Sequence, residues 1–200
     1  MIKNIKKKPI LFIFLALLLI GVGTTIALFT NSYTFNNTFK SADSKIVLEE
    51  NFNPTPWVEN TPTTKEVYIT NNGDSDVVVR LSYEELWSKK VGSETHQISN
   101  IVDGQNVVKK KWTDEFLSSD SWVLKDDGYY YYKKILKGNS RIQILKSIEL
   151  DYDLIEKSGE DYLSYDYELV FEIETVQPTS EAIKSVWGLN ATIANDNVNW

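Results

Sequence analysis

The residues of this chain that could do chemistry are few, and each has a structural use to set beside the chemical one. His96 is the only histidine. It lies in a polar stretch with no neighbouring acid placed to orient it as a general base. A zinc site of the HExxH kind needs two histidines on one helix face and is excluded, and a Ser/His/Asp triad lacks its oriented base. Carboxylates are abundant, but Asp151 with Asp153, or Asp161 with Asp166, would serve a glycosidase only by converging within about 5–9 Å. Acids at even positions of the last strand are explained as a solvated face that hinders edge association. Asp74, Ser75 and Asp76 follow an Asn-Gly pair like the opening of a calcium loop, yet no Glu closes the pattern, and turn chemistry accounts for them. Four consecutive tyrosines, Tyr129, Tyr130, Tyr131 and Tyr132, offer rings for stacking on sugars, but neighbours on a strand face opposite ways. The expectation is no catalytic centre, no cofactor and no metal, and a chain that is not an enzyme.

Composition narrows the classes further. Cysteine is absent, which removes disulfides, thiolate metal sites and Cys nucleophiles together. The formal charge is −7, and Lys3, Lys6, Lys7 and Lys8 all precede residue 28; without them 17 basic residues face 28 acidic ones, or −11. A domain so acidic is repelled by phosphate backbones and by anionic membranes, so nucleic acid is not an expected partner. Hydrophobic content of 42% against 24% charged is that of a globular chain, and the many Tyr and Trp favour strands.

The elements that must position any site begin with a leader. Residues 1–8 are basic, Ile10 to Ile20 is an unbroken apolar run, and Gly21 and Gly23 end a helix before Thr25, Ile26 and Ala27. This is secretory signal architecture. Small residues at Thr25 and Ala27 suit a signal peptidase cut after Ala27, with Leu28 as the alternative cut position. Residues 1–27 are therefore expected to be a signal peptide. A retained membrane anchor is the rival, since Pro9 to Phe29 is long enough to cross a bilayer of about 30 Å; the Gly and Thr pairs weaken such a helix and suit a cleavage site. Contact with membrane is then confined to the leader before processing, and the mature chain is secreted to the extracellular matrix or cell surface.

Residues 28–43 form an N-terminal strand segment. In LFTNSYTFNNTF, Phe29, Tyr33, Phe35 and Phe39 occupy odd positions and Thr or Asn and Ser the even ones, which is a strand with one aromatic face. Residues 44–200 read as one domain. KIVLEE at 45–50 is a short strand, and Pro54, Pro56 and Pro62 mark a loop. KEVYIT at 65–70 and the alternating stretch 77–83 flank Asn71, Asn72 and Gly73, which predicts a hairpin whose turn needs positive φ. Periodicity fades over about 88–119, read as a polar insertion with a short helix near Trp112 to Leu117. Strands follow at 121–125 and 129–136 around an Asp126, Asp127, Gly128 turn, then at 141–150 and 165–175, the last with a wet acidic face. A helix opened by Ser180 and stopped by Gly188 closes the chain. The fold class expected is all-β, a two-sheet antiparallel sandwich of jelly-roll type with a short C-terminal helix.

Three pieces of the chain carry a family resemblance. Gly21 to Thr24 and Ala27, Leu28, Phe29, followed by Asn37, Thr38, Phe39, resemble the export signal and mature start of the TasA/camelysin proteins, whose leaders a dedicated SipW-type signal peptidase removes. Trp122 with Asp126, Asp127, Gly128, the four tyrosines and Leu136, and then Glu174, Thr175, Val176, Gln177 with Trp187 and Gly188, resemble the BsaA-like branch of those biofilm matrix proteins. The resemblance implies a jelly-roll domain, exported by a Gram-positive bacterium and built into extracellular fibres, in which the N-terminal strand of one subunit completes the sheet of the next. The implied partners are further copies of the chain or a related matrix protein, and the SipW-type peptidase. Camelysin relatives have been classed as metallopeptidases, but with no HExxH here no catalytic residue transfers. The rival from another class is a monomeric cell-surface binding module, for example for cell-wall glycan, with Trp and Tyr clustered on an exposed face.

Overall fold

A computed structural model describes residues 45–52, 57–59 and 61–200. The expected signal peptide and strand segment, with Thr25, Ala27, Leu28, Phe29, Tyr33, Phe35 and Phe39, lie outside the described residues. Within them the strands are β1 (Ile46–Phe52), β2 (Thr63–Asn71), β3 (Val78–Val91), β4 (Glu94–Ile98), β5 (Ile101–Val102), β6 (Gln105–Asn106), β7 (Val108–Trp112), β8 (Trp122–Leu124), β9 (Tyr130–Tyr132), β10 (Ser140–Leu150), β11 (Asp166–Val176), β12 (Thr192–Ala194) and β13 (Asn197–Asn199). The helices are α1 (Asp114–Leu117), α2 (Tyr152–Ser158) and α3 (Ser180–Trp187), with a 3-10 turn at Tyr162–Ser164. None is long and apolar enough to cross a membrane.

Two antiparallel sheets carry the structure. The first has the order β1-β2-β10-β7; the second runs β11-β3-β9-β8, with β4 folded back on the far end of β3. The architecture is sandwich-like, mixed rather than all-β because α1 and α2 join the expected C-terminal helix. Alternation explains the strands. On β3 the odd residues Val79, Leu81 and Trp87 are fully buried, and on β11 Leu169, Phe171 and Ile173 are buried while Asp166 and Glu172 face water. β11 pairs with β3 over its whole length, from Asp166 opposite Ser88 to Val176 opposite Val78. β10 obeys the alternation less well because register shifts flank Leu145, so Ile144 and Leu145 are both buried.

The expected Asn-Gly hairpin is corrected by the structure. β2 pairs with β1 and β10 while β3 pairs with β11, β9 and β4, so residues 71–77 carry the chain from one sheet to the other. Gly73 is not among the glycines with positive φ. Its neighbour does the work: buried Asn71 donates from Nδ2 to the Ser75 carbonyl at 2.8 Å and the Lys137 carbonyl at 3.1 Å, and its Oδ1 accepts the Gly73 N–H at 3.1 Å. The return crossover, 133–139, lies against the first, and a Cβ on Gly138 would stand 2.4 Å from the Asp74 carbonyl oxygen. Gly is required at 138 by close approach, where the sequence pattern pointed to Gly73.

The stretch 88–119, expected as a polar insertion, carries short strands. β3 continues to Val91 and turns through Gly92 (φ 65°) into β4; β5 and β6 form a small ribbon; β7 joins the edge of the first sheet. Faded periodicity here reflects exposed hairpins at the sheet ends. The short helix expected near 112–117 is present as α1, capped by Thr113 accepting from Phe116 N–H at 3.2 Å. α3 is capped by Thr179, one residue before the expected Ser180, and stops at Gly188 (φ 70°). It packs with β12 and β13 on the outer face of the second sheet, where Val78, Val176, Ala182, Ile183, Ala191 and Val198 form a second buried cluster.

Candidate functional site

A sheet edge exposes main-chain N–H and C=O groups and is a template for another strand unless it is short, bent or charged. β11 has β3 on one side and no strand on the other among the described residues. Eleven residues long and in unbroken register with β3, it is the longest edge strand of the two sheets. Its inner side chains already belong to the core. Outward stand Asp166, Glu168, Val170 and Glu172, with Val170 at 39% exposure.

The upper end of this edge is held rigid by an ion-pair node. Arg80, beside Glu174 in the pairing of β3 with β11, donates from Nε (3.1 Å) and Nη2 (2.8 Å) to one Glu174 oxygen, and from Nη1 to the Tyr131 hydroxyl at 2.8 Å. Its guanidinium lies 4.1 Å from the Tyr129 ring centre and 4.9 Å from that of Trp187. Trp187 donates its indole N–H to Glu174 at 2.8 Å and so fastens α3 to the sheet. Burial, helped by the Asp127 carboxylate at 2.5 Å, pushes the Tyr131 phenol up to about 12, so it stays a donor. The four tyrosines divide as strand geometry demands. Tyr131 faces Trp187 and Trp200, whereas Tyr130 and Tyr132 pack on Phe116 and Trp122. They form no exposed stacking platform.

A second ion pair lies between the sheets. Glu85 is on the buried phase of β3, between Tyr83 and Trp87, and Lys110 of β7 reaches it at 2.6 Å; the two side chains are 12% and 5% exposed. Glu85 also accepts from the Tyr167 hydroxyl at 2.7 Å and the Asn100 amide at 2.9 Å. The Tyr167 phenol is pushed far above its ordinary range by burial and by Glu85. Next to this pair opens a cleft of about 460 Å³ bordered by Tyr83, Trp112, Gln105, Asn106 and Asp151. Asp151 is paired with Lys109 at 2.7 Å, and that ammonium holds its carboxyl below the usual carboxylate range.

The other residues singled out by type do not converge. His96 is exposed on β4, with Glu94 at 3.8 Å, beyond hydrogen-bond reach. Asp151 caps α2 by accepting from Leu154 N–H at 3.2 Å, Asp161 precedes the 3-10 turn without a side-chain capping bond, and Asp153 and Asp166 face water. Asp74 accepts from the Asn139 side chain at 2.8 Å; Asp76 accepts from Lys137 and the Gly138 N–H, which lower its pKa. Among the described residues no cluster of His, Cys, Asp and Glu could hold a metal ion. Sequence reasoning missed the Glu85–Lys110 pair. Its signal was present: Glu85 is the one charged residue on the apolar phase of Val79, Leu81, Tyr83 and Trp87.

Comparison with protein-family models, with curated proteins and with solved structures finds no match for this chain.

Proposed function

We propose that this chain is an exported structural subunit of extracellular biofilm matrix fibres, with a jelly-roll sandwich that accepts on its β11 edge the N-terminal strand, residues 28–43, of the next copy. The observation that carries the reading is the strand order. With β4 to β6 and the terminal ribbon set aside, β2, β10 and β7 are the second, seventh and fourth strands, and β11, β3 and β9 the eighth, third and sixth. A jelly roll orders its strands in this way, and it lays a first strand beside the eighth. Here β1 pairs with β2 and β8 with β9, and no strand among the described residues lies on the outer side of β11, which supports an N-terminal strand there.

Charge favours that occupant over a second β11. Two β11 strands paired edge to edge would bring Asp166, Glu168 and Glu172 of each copy together, and like charges across a sheet repel. The stretch 28–39 contains no charged residue. Its four aromatics on one face could contribute on the order of 6–12 kcal/mol before ordering costs, while main-chain pairing sets the register. The leader tethers the strand until a SipW-type peptidase frees it, so assembly waits for export. Electron microscopy and sedimentation of the chain beginning after Ala27 test the reading. Fibres that grow with concentration are expected; a monomer at every concentration contradicts it.

A further inference from the structure

Among the cavities, ion pairs and exposed faces, the cleft beside Glu85 and Lys110 has the most to explain. A buried ion pair is costly beside apolar residues of the same volume, and a charge on the apolar phase of a strand marks a place where pattern yields to use. The neighbouring Lys109–Asp151 pair makes the wall charge-balanced. A charged ligand would therefore find no unpaired counter-ion. The same wall presents the half-buried rings of Tyr83 and Trp112, 5.0 Å apart between centres, and the side-chain amides of Gln105 and Asn106. Burial pushes the Tyr83 phenol above its ordinary range, so it remains a protonated donor. The volume is that of a small-molecule site.

We propose that this cleft binds a neutral carbohydrate unit, its apolar ring face on Tyr83 and Trp112 and its hydroxyls on the amides and the paired charges. Flat apolar faces edged by hydroxyls match aromatic rings edged by donors and acceptors, and neutrality matches the balanced wall. The cleft opens at β7 and the β5–β6 ribbon, while its two rings pack from behind on Phe171 of β11, 6.1 Å from Tyr83 and 6.3 Å from Trp112 between ring centres.

Calorimetric titration of the secreted chain with three probes tests the proposal: the tetramer of N-acetylglucosamine, cellotetraose, and the anionic galacturonate tetramer. Saturable binding of at least one neutral tetramer, tighter than that of the anionic one, is expected, with amide chemical-shift changes at residues 104–112 and Tyr83. The Gln105→Ala, Asn106→Ala double variant changes exposed ribbon residues and should weaken binding about tenfold with an unaltered melting temperature. Absence of saturable binding by either neutral tetramer, preference for the anionic one, shifts confined to another surface, or undiminished affinity in the double variant would each overturn it.

Discussion

β7 and β11 are both edge strands of a sheet, and they treat the edge differently. β7 has five residues, three of them the consecutive lysines Lys109, Lys110 and Lys111, and α1 begins two residues after it ends. Shortness, lysines and an abrupt change of direction are the means by which sheets avoid joining. β11 has eleven residues, contains neither Lys nor Pro, and keeps an unbroken register with β3, its one partner among the described residues. Its acids are on the outer face, where like charge disfavours an acidic partner. The contrast teaches that charge on an edge strand can select a partner as well as exclude one.

The largest effect should come from removing the proposed partner. Deleting residues 28–39 is expected to leave a folded, soluble monomer that no longer polymerises, by circular dichroism and sedimentation. An unfolded product would mean that the strand belongs to its own domain. Phe35→Asp should block assembly alone, since an unpaired charge would enter an apolar contact. Next, moving the guard of β7 onto β11 with Val170→Lys and Glu172→Lys should slow fibre growth at least about tenfold, while exposed sites keep stability within about 0.5 kcal/mol. Growth at the original rate would show that fibres use another edge.

β1 is a third edge among the described residues, and it is tied to β2 by a pair of buried Lys65 with the more exposed Glu50, with Lys65 4.3 Å from the Phe52 ring centre. Burial pulls the Lys65 ammonium down to about 8 from its ordinary 10.5, outweighing the carboxylate at its side. Below the folded value both states hold the proton and the cost of burial is present in full. Between about 8 and 10.5 the unfolded chain holds a proton that the folded chain has released, so stability rises with pH. Relative to Lys65→Met, the native chain should gain on the order of 1 kcal/mol from pH 7 to 10 in denaturant unfolding. A flat difference would contradict burial as the dominant influence. The smallest effect belongs to His96→Ala, expected to change stability by less than about 0.5 kcal/mol and no activity; loss of an activity would overturn the non-enzyme reading.

Period-two alternation made β3 and β11 legible, turn signals marked β9 and β10, and Gly128 and Gly188 fall at the turn and helix stop that the sequence indicated. What alternation cannot reveal is which sheet a strand joins. Asn71 and Gly73 have hairpin chemistry, yet Asn71 spends its side chain on carbonyls of the return crossover, sixty-five residues and more away. Long-range partners of this kind leave no local mark. The Glu85–Lys110 pair was half legible, because Glu85 breaks an apolar phase, while Lys110 is hidden in a run of lysines that reads as solvated surface.

The absence of cysteine makes the central claim directly testable by cross-linking. Val170→Cys would be combined in turn with Cys at Thr30, Ser32, Thr34, Asn36 and Thr38, the polar positions of the N-terminal strand, and each chain assembled and oxidised. Strand donation to β11 predicts a ladder of intermolecular disulfides, strongest at one position and fading at those farther along. Oxidised monomers alone, or a ladder of equal strength at every position, would contradict it.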